Sequence, residues 1–223
     1  PDHIGCGLSD KPTDDAYSYT LAQRVDDLTS LLDEAGVTER VTLVVHDWGG
    51  MIGMAWASRH PERVARLVIL NTAAFPLPKN SGLPFTLRLT RTSLGSLLVR
   101  GLNAFSAGAA RLCFERPTSD EIRRAYRAPY DSWSNRIATL RFVQDIPLSP
   151  SDPGYDIVAE VESGLSKFAD VPTLLCWGAK DFVFNDSFYA RWKELMPHAE
   201  FHYFEDCGHY VLEDAGDEIT ALT

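Results

Sequence analysis

Val41-Thr-Leu-Val-Val-His46-Asp47-Trp48-Gly49-Gly50 carries an apolar, β-branched run straight into a turn with two glycines, and a helix-like segment follows. A strand, a sharp turn and a helix in that order form a nucleophile elbow, which lifts one side chain above the end of a sheet. The usual occupant of the lifted position is a serine flanked by glycines. Here it is Asp47. A carboxylate needs no base to ionise it, and its attack on saturated or strained carbon leaves an ester on the protein. The pattern therefore points to displacement at carbon with a good or ring-strained leaving group. Gly49 is expected to permit the tight turn, and Gly50 and Gly53 to let the helix lie close to neighbouring strands. Trp48 supplies a backbone N–H where an oxyanion donor is expected, and an indole N–H that can donate to a leaving anion. The bland alternative is a buried aspartate capping the next helix beside a core tryptophan.

The chain around this stretch alternates. Thr20 to Ala35 predicts a helix, with Thr20-Leu-Ala-Gln23 as a capping box, Leu21, Val25, Leu28 and Leu32 at helical spacing, and Gly36 as the stop. Val41–Val45 reads as a buried strand, Met51–Ser58 as the elbow helix and Val64–Leu70 as a second strand. Helix, strand, helix, strand implies a parallel sheet with right-handed crossovers. From Phe75 to about Phe168 prolines interrupt helical segments and no buried strand is evident; one helix is predicted to start at Thr118, with Glu121 completing a capping box. Such an insert can exclude water and shape a pocket. Strands return at Val171–Trp177 and Glu200–Phe204, separated by a helix over Asp186–Met196 that Asp186 caps. Asp214–Thr223 reads as the start of a terminal helix. The expected organisation is a core over residues 1–75, a helical cap over 76–168 inserted after the second visible strand, and the rest of the core over 169–223.

Two loops after strands complete the constellation: Gly178-Ala-Lys-Asp181 and Gly208-His209. In a parallel sheet both fall at the carboxyl edge, where the elbow also lies. Asp47, Asp181 and His209 can meet there, in the order nucleophile, acid, histidine of the α/β-hydrolase triad. Asp181 would fix the imidazole tautomer and His209 would act as base. Each match alone has a plain reading, a turn for Gly-x-x-Asp and a structural histidine for His209. Tyr126 and Tyr130 in the cap could donate to an epoxide oxygen, and with Trp133 are candidate substrate contacts; amphipathic packing is their alternative. His198-x-x-x-His202 has metal-ligand spacing, but it spans a proline-initiated turn and strand without an acidic third ligand, so no metal is expected. Cys207 has nothing to activate it except His209, which Asp47 already claims. No cofactor is expected.

Composition sets the bounds. The 223 residues are 45% hydrophobic and 23% charged, ordinary for a packed fold. A net charge of −10 without a Lys/Arg block argues against nucleic acid and against anionic membrane surfaces. Cys6, Cys113, Cys176 and Cys207 form no C-x-x-C and no disulfide framework, so a reduced, cytoplasmic protein is expected. No run approaches a membrane span and no signal peptide is visible. The opening Pro1-Asp-His-Ile-Gly-Cys-Gly-Leu-Ser-Asp10 reads like a loop leaving a strand, which suggests a fragment whose first strands are missing.

Val45-His-Asp-Trp-Gly-Gly50, with Asp2–Pro12 ahead of it, resembles the haloalkane dehalogenase and epoxide hydrolase branch of the α/β-hydrolases. His46–Met54, Leu70–Pro76, Ala128–Trp133, Arg136–Phe142 and Asp206–Asp214 further resemble the β-lactone decarboxylases of bacterial long-chain olefin biosynthesis. The resemblance implies an α/β-hydrolase fold, Asp47 as nucleophile, His209 with Asp181 as its acid, and Trp48 as one of two anion holders. The other anion holder would come from a His-Gly-x-Pro-like loop that this sequence lacks. It also implies a small apolar substrate and, as partners, other enzymes of the olefin pathway. A dehalogenase would use His209 to drive water onto the ester. A lactone decarboxylase would open a four-membered ring, by attack on the ring C–O carbon or on the carbonyl, and lose CO2. Apolar cap segments Leu83-Pro-Phe, Leu94–Val99 and Leu102–Phe105 suit long alkyl chains or a plain cap core equally. A non-catalytic binding protein of the same fold is the remote alternative.

Overall fold

The computed structural model describes residues 1–78, 81–82 and 85–223. Four strands, β1 (Val41–Asp47), β2 (Val64–Thr72), β3 (Thr173–Gly178) and β4 (Glu200–Phe204), form one sheet in the order β1-β2-β3-β4, every neighbouring pair parallel. The central strands read as unbroken apolar runs because both faces are covered. Their side chains alternate between two cores. Leu67 and Ile69 of β2 and Leu175 and Trp177 of β3 enter the larger one, with α1 (Leu21–Glu34), α2 (Trp48–Arg59) and residues of α8 (Tyr155–Gly164) and α9 (Asp186–Leu195). Val68, Leu70, Leu174 and Cys176 enter the smaller one, under α10 (Val211–Asp214) and α11 (Gly216–Leu222).

Among the described residues, every regular element between β2 and β3 is helical: α3 (Phe85–Leu89), α4 (Ser93–Leu102), α5 (Ala104–Leu112), α6 (Asp120–Arg127), α7 (Ile137–Gln144) and α8, with short 3-10 turns. Arg24 of α1 reaches this region. Its fully buried guanidinium bonds Asp145 at 2.8 Å and lies 3.7 Å from the Phe142 ring centre. No described helix is long and apolar enough to cross a membrane.

Several local expectations need correction. Thr20 caps α1 by accepting from the Gln23 N–H at 3.3 Å, but the Gln23 amide turns to Asp27, so the box closes on one side only. The α6 cap is Ser119, which accepts from the Ile122 N–H, and not Thr118; the Thr118 hydroxyl is spent on the Arg116 carbonyl. Asn185 caps α9, leaving Asp186 inside the first turn, where its charge favours the helix dipole. The terminal helix is two short ones, Val211–Asp214 and Gly216–Leu222. Of the apolar segment Leu83-Pro-Phe, Leu83 and Pro84 lie outside the described residues.

Candidate active site

The parallel register brings four strand ends to one edge. β1 ends at Asp47, β2 at Asn71 and Thr72, and the loops after β3 and β4 carry Asp181 and His209. Asp47 takes φ 50° and ψ −125°, a left-handed turn that a non-glycine residue adopts only under constraint. The turn was expected to fall on Gly49. Gly49 instead lies within α2, at negative φ, and a Cβ there would meet only Val45 at 4.0 Å. Gly50 and Gly53 do have the expected packing role. A side chain on Gly50 would strike Thr72 Oγ1 and the Ala73 carbonyl, and one on Gly53 would come within 2.7 Å of Val45 Cγ1. Thr72 Oγ1 also donates to the Asp47 carbonyl, pinning the turn.

The Asp47 carboxylate makes no capping bond to α2, which removes the bland reading of this residue. It is 42% exposed, toward a cavity, and its Oδ1 stands 3.8 Å from His209 Nε2. His209 Nδ1–H donates to Asp181 Oδ2 at 2.7 Å. Asp181 is fully enclosed and also accepts from the Asn71 amide at 3.0 Å and from the backbone N–H groups of Val183 and Phe184 at 2.7 and 3.0 Å. Burial pushes the Asp181 carboxyl up, but the His209 charge and these donors outweigh it and hold it below the usual carboxylate range. For His209 burial pulls down, and the Asp181 charge, its hydrogen bond and Asp47 outweigh it, so the imidazole is raised above 6.5. The Asp181 bond fixes Nδ1 as the protonated nitrogen, leaving Nε2 to face Asp47.

Residues that sequence reasoning missed hold this frame. Asn71 bonds Asp181 and both polar groups of the Gly178 peptide. His46 Nε2–H donates to the His209 carbonyl at 2.7 Å; burial first, and the neighbouring His209 second, lower its pKa to about 4. Asp214 accepts from the N–H groups of Gly208, Glu115 and Arg116, tying the His209 loop to the segment before α6. Phe184 stacks on the His209 ring at 5.8 Å. The signal available for Asn71 was a lone amide closing the apolar run Val68-Ile-Leu.

The cavity above Asp47 encloses about 780 Å³. Asp47, Trp48 and His209 line it among Phe75, Phe142 and Leu98. The Trp48 indole N–H has no partner among the described residues, and its ring stands edge-on to Phe142 at 5.2 Å. Tyr130 lines the cavity, with its hydroxyl 3.5 Å from the Gly7 N–H. Tyr126 and Trp133 do not line it. The Tyr126 hydroxyl donates to Glu213, and Trp133 is exposed beneath the Arg100 guanidinium. Cys207 is buried, its thiol pushed up to about 12 by burial. His202 contacts Glu200 at 2.7 Å, and no group of three or more metal-ligating side chains occurs among the described residues.

Comparison with known proteins fixes the family. A profile described as "alpha/beta hydrolase fold" matches residues 1–216. The chain belongs to the α/β-hydrolase family. Among curated relatives, this α/β-hydrolase is 61% identical over 221 residues to the cis-3-alkyl-4-alkyloxetan-2-one decarboxylase of Shewanella oneidensis, covering 98% of the chain and 70% of the relative. It is 51% identical over 220 residues to the protein of the same name from Xanthomonas campestris pv. campestris, covering 96% and 73%. Among solved structures it superposes on the haloalkane dehalogenase DbeA of Bradyrhizobium elkani with a TM-score of 0.85 at 28% identity, covering 98% of this chain and 76% of that one.

Proposed function

We propose that this α/β-hydrolase decarboxylates a cis-3,4-dialkyl β-lactone to an alkene and CO2. The observation that carries the reading is an uncapped carboxylate on a left-handed elbow, 3.8 Å from an Asp-paired histidine at the floor of an apolar cavity. The oxetan-2-one in the names of the two decarboxylase relatives is a four-membered lactone, and it selects ring strain over halide as the driving force.

In this proposal Asp47 attacks the ring carbon that bears oxygen. The C–O bond breaks, its electron pair leaves as a carboxylate, and an ester joins the substrate to Asp47. The carboxylate then loses CO2. The C–C bonding pair forms the double bond and expels the Asp47 carboxylate, so the nucleophile is regenerated and no water is consumed. Trp48 donates its indole N–H to the carboxylate released in the first step. The cationic form of His209, favoured by Asp181, balances the charge around Asp47. Phe75, Phe142 and Leu98 accommodate the alkyl chains by excluding water. Other enzymes of an olefin pathway are its proposed partners.

A hydrolytic reading, haloalkane dehalogenase or epoxide hydrolase, is favoured by one feature: His209 Nε2 faces Asp47, where it could deprotonate a water aimed at the ester. A single comparison separates the readings. The protein is offered a disubstituted β-lactone and a bromoalkane, and alkene, CO2 and bromide are measured. Alkene and CO2 in equal amounts, formed faster than bromide, are expected. Bromide without alkene would make it a dehalogenase, and a diol from an added epoxide would make it an epoxide hydrolase.

A further inference from the structure

The overall charge of −10 conceals an asymmetry. Between Phe85 and Gln144 the chain holds ten arginines and no lysine against four carboxylates, Glu115, Asp120, Glu121 and Asp131, a formal +6. Of these arginines only Arg116 and Arg141 pair with a carboxylate among the described residues. Arg88, Arg111, Arg124 and Arg127 are exposed. The same segment exposes large apolar side chains, from 49% for Trp133 to 77% for Phe85, with Leu94, Leu97, Leu102 and Leu112 between.

Three of these side chains, Leu94, Leu97 and Leu102, belong to α4. Leu94, Leu97 and Gly101 follow helical spacing on its outer face. Trp133 lies against them, 3.7 Å from where a Gly101 Cβ would stand, with the Arg100 guanidinium 4.6 Å above its ring. Gly95, Leu98 and Val99 of the same helix line the cavity. One helix thus separates the cavity from an apolar outer strip that carries Arg100 over Trp133, in a segment that also exposes Arg88, Arg111, Arg124 and Arg127. Leu112, 60% exposed and also part of the cavity lining, marks where the two surfaces meet.

We propose that this face of the cap docks on a lipid bilayer with anionic headgroups, so that an apolar substrate passes from the bilayer into the cavity. Arginines with leucines and a tryptophan at the boundary are what interfacial insertion requires: electrostatic attraction holds the surface near, and shallow apolar burial fixes it. A bilayer satisfies both features at once. It also holds molecules of the chemistry that the cavity lining accepts. The proposal rests on the cap surface and the cavity, and stands independently of which reaction Asp47 performs.

The test is vesicle flotation of the full chain with phosphatidylcholine alone and with phosphatidylcholine containing phosphatidylglycerol, at low and high salt. Binding to the anionic vesicles should exceed binding to the neutral ones by about tenfold or more and fall at high salt. Leu94→Ser/Leu97→Ser should reduce it by about tenfold, and Trp133→Ser should weaken it, both with an unchanged circular dichroism spectrum. Asp47→Asn should bind like the parent, which separates docking from chemistry. Equal flotation on both vesicles, or anionic binding that survives the leucine exchange, would overturn the proposal. So would self-association that is seen without lipid and abolished by the same exchange, which would assign the face to a second copy of the chain.

Discussion

Asp47 is held at φ 50° although it has a Cβ, a conformation that costs on the order of 1–3 kcal/mol. The Thr72 bond to its carbonyl and the close fit of Gly50 under β2 hold it there, and its carboxylate is left uncapped in the cavity. Asp47→Asn keeps that shape and removes the proposed nucleophile. A mass-checked Asp47→Asn protein should unfold like the parent and turn over lactone at least about 10³-fold more slowly; near-parent turnover would remove Asp47 from the mechanism. His209→Ala separates the two fates of the ester. If CO2 loss breaks it, the variant should still release alkene and accumulate little adduct by intact-mass spectrometry. A stoichiometric, long-lived adduct without alkene would mean that water must attack, and with it hydrolysis. Asp47, Asp181 and His209 were legible in the sequence because each stands at or just past a strand end beside glycine: Asp47 closes β1 ahead of Gly49-Gly50, Asp181 follows Gly178 and His209 follows Gly208. Asn71 and His46 were not, since each acts by bonding a loop distant in sequence, and an amide or imidazole inside a strand carries no local mark of its partner.

At the level of elements, α2 shows why neighbouring glycines are not equivalent. Gly50→Ala drives a methyl into Thr72 Oγ1 and the Ala73 carbonyl, and backbone cannot move aside cheaply. A loss of about 1–3 kcal/mol is expected in thermal or denaturant unfolding, with turnover lost as the elbow shifts. Gly49→Ala meets only Val45 at 4.0 Å and should be neutral or stabilising by up to about 1 kcal/mol. Equal damage from both would refute this account of the elbow. β2 and β3 were read nearly to their ends because burial on two faces leaves an uninterrupted apolar signal, whereas β1, expected to be buried, leaves Thr42 and Val44 exposed. Helix caps were read less well. Thr118 beside Ser119, and Asn185 beside Asp186, offer two adjacent oxygens, and only the backbone angle at each decides which accepts the helix N–H. The outward leucines of α4 were legible as apolar, but not as exposed, because a helix with a cavity on one side and solvent on the other shows no single polar face.

For the whole molecule, the buried imidazoles set a stability profile with a predictable summit. His46 titrates at about 4 when folded and at 6.5 when unfolded, so between those values the unfolded chain binds the extra proton and stability rises with pH. Half-buried His3, lowered to about 4 mainly by burial, acts in the same direction. His209 has the opposite sign. Its folded pKa is raised, so the stability it contributes is fully present below 6.5 and is lost as pH climbs through the folded value. Asp181, lowered in the fold, adds a loss only at still lower pH, below its unfolded value of 3.8. Chemical denaturation across pH 4 to 9 should therefore give a maximum near 6.5, with His46 contributing up to about 3 kcal/mol to the acid limb. His46→Gln retains an N–H for the His209 carbonyl but cannot titrate, so it should reduce the acid limb to the share of His3 and leave the alkaline one unchanged. His209→Gln should remove the alkaline limb and, by taking away the charge that helps to lower His46, make the acid limb shallower as well. An acid limb that keeps its slope in His46→Gln would show that His46 is not the group held neutral behind the site, and that the His209 loop is positioned by something other than its bond.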